Sequence, residues 1–96
     1  MARADAGPPG LRLRLYVAGT APNSLRALAN ARAICDEHFA SCHELEIVDL
    51  LEFPLRALAD GIVVTPTLLK LSPPPQQRLI GNLSDTPRVL AALASR

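Results

Sequence analysis

Apolar and polar positions alternate at the start of the chain: Leu11, Leu13, Leu15 and Val17 interleave with Arg12, Arg14, Tyr16 and Ala18. A period of two predicts a strand with one strongly apolar face, and Gly19 ends it. The period then lengthens. Leu25, Leu28, Ala31, Ile34, Cys35 and Phe39 fall on one side at helical spacing, with Arg26, Asn30, Ala33 and Glu37 on the other. Pro22 suits a first helical turn, and Asn23 or Ser24 supplies a cap. A second strand is predicted over 45–50, with the acid Asp49 near its end. A short helix over 52–60 then turns Leu51, Leu55 and Leu58 inward and stops at Gly61.

Residues 62–69 read as a buried strand, except that Pro66 normally demotes a central strand. A cis Thr65–Pro66 bond resolves that conflict. Pro73, Pro74 and Pro75 form a stiff connector, followed by a short strand over 77–80. Asn82-Leu83-Ser84-Asp85 then caps a last helix, with Pro87 in its first turn and Val89, Leu90 and Leu93 as its apolar stripe. The order is βαβαββα, an α/β domain with a thioredoxin-like, four-stranded mixed sheet and flanking helices. Residues 1–10 read as a flexible tail and 11–96 as a single domain.

Composition narrows the function. Of 96 residues, 49% are hydrophobic and 20% charged, a globular balance. The net charge of +1 leaves little counterion release for a phosphate backbone. Tyr16, Phe39 and Phe53 are too few aromatics for a base-stacking surface. Nucleic acid is therefore not an expected partner. No apolar run approaches the roughly 20 residues that cross a bilayer, and 1–10 lacks a signal-peptide core. The expectation is a cytoplasmic protein, no membrane partner, and reduced Cys35 and Cys42.

In a thioredoxin-like chain the turn from first strand to first helix is where a Cys-x-x-Cys pair sits. Here it holds Thr20, Ala21, Pro22 and Asn23. A reactive thiolate needs a helix N-terminus or a neighbouring cation; Cys35 is mid-helix on the apolar face and Cys42 follows the helix. Cys35, His38, Cys42 and His43 can be drawn as a metal site, but their spacing is no finger pattern, and surface histidines are the simpler reading. Thr20, Ser24 and Asp49 are a helix length, roughly 20 Å, from the histidines, which defeats a hydrolytic triad. Gly19 stands alone, without a phosphate-binding loop. The expectation is no catalytic residue, no metal and no cofactor. Arg26, Lys70 and Arg78 remain as candidate contacts for a protein partner, against the plainer reading of solvated charges.

The motifs taken together resemble the KaiB family. L-Y-V-A-G-x-x-P-N-S runs from Leu15 to Ser24, Leu-Glu-Ile-Val-Asp starts at Leu45, T-P-T-L spans 65–68, P-P-P spans 73–75, and I-G-x-L-S-D spans 80–85. The resemblance covers about 11–93. It implies a non-enzymatic protein that binds the ring of a KaiC-like hexameric ATPase and modulates its activity or partner access, in a circadian clock or a stress response. A clock-type histidine kinase is a further implied partner, and a dimer or tetramer is an implied assembly. Lys70, Arg78 and Arg26 carry over as partner-binding residues; Gly19, Pro22, Asn23, Pro66 and Pro73 to Pro75 carry over as structural ones. The rival function is a degenerate thioredoxin-like oxidoreductase or thiol transferase.

The resemblance also implies a second fold, a tetramer type in which the C-terminal half is rearranged. Ala91-Ala92-Leu93-Ala94 stands where relatives tend to carry a Gly and an Asp. Alanine favours helix over glycine by about 1 kcal/mol per site, roughly fivefold in a two-state equilibrium. The chain is therefore expected to rest in the thioredoxin-like state. Gln77 in place of a basic residue, Asn82 in place of an acid, and an end at Arg96 without an acidic tail are further departures.

Overall fold

A computed structural model describes residues 10–39 and 43–95. The expected tail, apart from Gly10, and Cys42 lie outside those residues. The element order is β1 (Leu11–Val17), α1 (Pro22–His38), β2 (His43–Asp49), α2 (Pro54–Ala59), β3 (Thr67–Ser72), β4 (Gln77–Ile80) and α3 (Thr86–Leu93). The four strands are ordered β2-β1-β3-β4. β1 runs parallel to β2 and antiparallel to β3, and β4 returns antiparallel to β3. This is the mixed thioredoxin-like sheet expected from the sequence. The last segment is helical, so the rearranged alternative is not the arrangement seen.

Each face of the sheet has its own apolar cluster. Leu11, Leu13, Leu15 and Val17 of β1 pack with Leu68, Leu79, Ala27, Ala31, Ile34, Leu83, Val89 and Leu93, under α1 and α3. The strand's alternation specifies this directly, since one parity of a pleated strand meets one face. Each fully buried leucine contributes about 1.5–3 kcal/mol. The other parity places Tyr16 in a smaller cluster with Val48, Ala57 and Leu69, under α2. Tyr16 was read as part of the polar side of β1, yet it is fully buried.

Local chemistry shifts several boundaries. α1 begins at Pro22, with neither Asn23 nor Ser24 capping it. Ser24 is buried and its Oγ accepts from the Ala18 N–H at 3.0 Å, so it ties the helix to the end of β1. The buried stripe is accordingly Ser24, Ala27, Ala31, Ile34 and Cys35, and Leu25 is half exposed. β3 starts at Thr67 rather than 62, because Pro66 has no N–H for a ladder. Val63 and Val64 lie exposed before it, and Thr67 Oγ1 donates to the Val64 carbonyl at 2.7 Å. The Thr65–Pro66 bond is cis, as expected, and so are Ser72–Pro73 and Pro74–Pro75.

The α2 helix departs furthest from expectation. Gly61, at φ +69°, donates to the Leu58 carbonyl, and Ile62 N–H donates to Ala57, which closes the helix in a Schellman motif. The stop is as read, but the side is not. Ala57 is the buried residue, while Leu51, Leu55 and Leu58 are 68%, 77% and 75% exposed. The opposite stripe, Arg56 and Asp60, meets the sheet instead.

Candidate functional site

The three basic residues singled out by sequence do not form one surface. In the β3–β4 ladder Lys70 pairs with Gln77 and Leu69 with Arg78, so Lys70 and Arg78 point to opposite faces of the sheet. Lys70 is buried, which corrects its reading as a surface charge. Its Nζ donates to the Ser95 carbonyl and, at 3.1 Å, to Ser95 Oγ, at the C-terminal end of α3. Arg78 performs the matching task on the other face. Its guanidinium donates to the Asp60 carbonyl at 2.8 Å and the Gly61 carbonyl at 3.1 Å, at the end of α2. Both cations of the hairpin thus satisfy orphan carbonyls at helix C-termini, where the helix dipole also favours positive charge. Arg26 and Arg78 are both exposed, Arg26 on α1 and Arg78 on β4, and neither makes an ion pair among the described residues.

A charged network missed at the sequence level fixes α2 to the sheet. Arg14 Nε donates to Glu46 Oε1 at 2.8 Å, and its other arm donates to Asp60 Oδ2 at 2.9 Å. Arg56 grips the same Glu46 with two nitrogens, at 2.8 and 2.9 Å. Tyr16 OH lies 2.7 Å from Asp60 Oδ2 and 2.9 Å from the Arg56 carbonyl, and shares its one proton between them. The arginines' hydrogen bonds hold the Glu46 carboxyl down at about 2, with Arg56 the larger influence. Asp60 is lowered too, first by the Tyr16 hydroxyl. Burial, and then Asp60, push Tyr16 up to about 12. The alternation of β1 and β2 carried the signal: Arg14 and Glu46 are register partners on the face opposite the core. A helix placed over them must present charge, not leucine.

The loops at one end of the sheet form the remaining candidate surface. β1 and β2 end there, β3 begins there, and Thr67 pairs with Ile80 at the end of β4. Asp49 Oδ1 accepts from the N–H groups of Gly19 and Leu51, at 3.1 and 2.9 Å, and so joins the two turns. Gly19 has φ +54°, and a Cβ there would lie 3.2 Å from Leu51 Cδ1. Around these turns Leu25, Leu51, Phe53, Val63, Val64 and Ile80 are all at least 45% exposed. Pro22 and Asn23 are exposed on the first turn of α1, Pro66 is buried at the start of β3, and Pro73 to Pro75 lie at the far end of the hairpin. Among the described residues the surface is apolar and carries no thiol. Cys35 is buried, and burial pushes its thiol up to about 11, the reverse of an activated thiolate. No cluster of His, Cys, Asp and Glu suited to a metal is found among the described residues.

Comparison with known proteins settles the family. The KaiB domain model matches residues 14–94. The chain belongs to the KaiB family. It is 51% identical over 81 residues to the circadian clock oscillator protein KaiB of Prochlorococcus marinus strain MIT 9313, covering 84% of this chain and 68% of that protein. It is 48% identical to the circadian clock protein KaiB3 of Synechocystis, over 84% of this chain and 79% of that one. Among solved structures it resembles the N-terminal domain of Synechococcus elongatus SasA, with a TM-score of 0.71 and 26% identity over 95% of this chain and 88% of that domain. A KaiB-family chain in the fold of the SasA domain is a thioredoxin-like protein whose first turn, Thr20 to Asn23, has no cysteine. No helix among the described residues is long and apolar enough to cross a membrane.

Proposed function

We propose that this KaiB-family chain is a non-enzymatic regulator that docks on the ring of a KaiC-type hexameric ATPase and changes its activity or its access to other partners. The observation that carries this reading is the family match over 14–94, joined to a thioredoxin-like fold whose turn offers an apolar surface in place of a thiol pair. The likeness to the SasA domain is one of fold, and it motivates a second element of the proposal: a clock-type histidine kinase as competitor or co-partner. Arg26, exposed on α1, and Arg78, exposed on β4, are basic residues available to such a contact. Lys70, which is buried, acts on it through the end of α3 that it holds. The helical Ala91-Ala92-Leu93-Ala94 end supports a resting thioredoxin-like state that binds without first rearranging.

The test is size-exclusion of this protein mixed with the KaiC-type ATPase of the same cell, together with the ATPase rate. Co-elution and an altered rate are expected, with binding weakened by Arg26→Glu. Separate elution at high micromolar concentrations, with an unchanged rate, overturns the reading.

A further inference from the structure

β4 is the last strand of the sheet, so one of its edges meets no other strand among the described residues. The ladder on its inner edge decides which groups the outer edge offers. Gly81 N–H donates to the Pro66 carbonyl at 3.0 Å, toward β3. Hydrogen-bonded and non-hydrogen-bonded pairs alternate along an antiparallel ladder, so Leu79 and Gln77 also turn their main-chain groups to β3. Arg78 and Ile80 turn theirs outward. Their side chains share the α2 face, since they oppose Leu69 and Thr67, and both are exposed, Ile80 by 53%. We propose that this edge receives an extended acidic segment of a partner protein. The segment adds antiparallel to β4, setting a carboxylate on Arg78 and an apolar side chain beside Ile80. The proposal does not depend on the ATPase reading.

Charge selects the occupant. Arg78 is the only charged residue between Leu71 and Ser84, and it makes no ion pair among the described residues. Hydrogen bonds to the carbonyls of Asp60 and Gly61 use part of its donor set and hold the guanidinium in place. The donors left over form a planar fork, the geometry that a carboxylate matches. In strand addition the main chain supplies affinity and alternate side chains supply specificity. An antiparallel segment opposite Ile80 and Arg78 reads, in its own direction, apolar-x-acid. A second copy of this chain does not offer that on either edge strand. β4 itself holds no acid, and Glu44 and Glu46 of β2 are taken by Arg12, Arg14 and Arg56. A short edge carrying one cation thus discourages pairing with itself, while it admits a segment of opposite charge.

NMR titration of the isotope-labelled full chain tests this, with a blocked peptide of alternating threonine and valine that carries one glutamate in a Val-Thr-Glu run. The expected result is saturable amide shifts at Arg78 and Ile80, with the peptide bearing lysine in place of glutamate binding roughly fivefold more weakly. Arg78→Glu should reverse that preference. Ile80→Pro removes one outward N–H and leaves the ladder to β3 in place; it should abolish binding with the shifts of β1 and β3 little changed. No shift at millimolar peptide overturns the proposal, and so do equal affinities for the two peptides, shifts centred on β2, and binding indifferent to Ile80→Pro. Shifts at Arg78 and Ile80 on concentrating the chain without peptide assign the edge to a second copy, and the partner segment falls.

Discussion

One sheet, two faces, and two different means of covering them: α1 and α3 seal the first with aliphatic side chains, and α2 holds the second through carboxylates and guanidinium groups. The first cluster runs the length of β1, from Leu11 to Val17. The second is a small apolar group, Tyr16, Val48, Ala57 and Leu69, beside the Arg14–Glu46–Arg56–Asp60 network. Apolar burial is non-directional and tolerates small movements. A charged network fixes one geometry and depends on every member being satisfied. The α2 face is therefore the one whose position is set by chemistry, and it frees the outer leucines for contact with another molecule.

The largest test of this contrast is Leu15→Ala, in the fully buried centre of β1. It should cost about 2–5 kcal/mol, read as a global loss of stability in urea unfolding. Asp60→Ala should cost about 1–3 kcal/mol, because Arg14 and Tyr16 lose a shared acceptor. Its signature is local: amide protection falls first in α2, with α1 and α3 little changed until global unfolding. Lys70→Met is the smallest. It removes hydrogen bonds to Ser95 but also the cost of a buried ammonium, so a loss of about 1 kcal/mol is expected, with fraying at the end of α3.

How far the sequence reveals this depends on the kind of information each element carries. The strand β1 is legible because alternation of leucine with arginine names both faces at once. The helix α1 is legible as a helix, but the buried stripe is rotated: Ser24 is drawn inward by the Ala18 N–H and Leu25 is left half exposed. In α2 the leucine spacing is real and its direction is inverted. Periodicity identifies a stripe and says nothing of what lies opposite; Arg14 and Glu46 on the facing strands decide the matter. Lys70 and Arg78 show the same limit. Their faces depend on the β3–β4 register, and a connector of three prolines does not impose the register that a two-residue hairpin turn would. The family was legible throughout, since its motifs span parts of β1 and β2 and the turns that close the sheet. The surface that would contact a partner was not, because an exposed apolar strip and a buried one share a sequence pattern.

The contrast between the faces is tested most directly by residue-resolved hydrogen exchange, as protection factors at neutral pH and at about pH 3. The Glu46 carboxyl is held from its ordinary 4.5 down to about 2, and Asp60 is lowered as well. A lowered carboxylate stabilises the fold above its unfolded value, and that contribution drains away as pH falls through the folded one. Selective loss is therefore expected at the amides of Ala57, Asp60 and Ile62 as pH drops from about 4.5 toward 2, with Ala31, Ile34 and Val89 still protected. Equal loss on both faces, or an α2 indifferent to acid, would contradict the account.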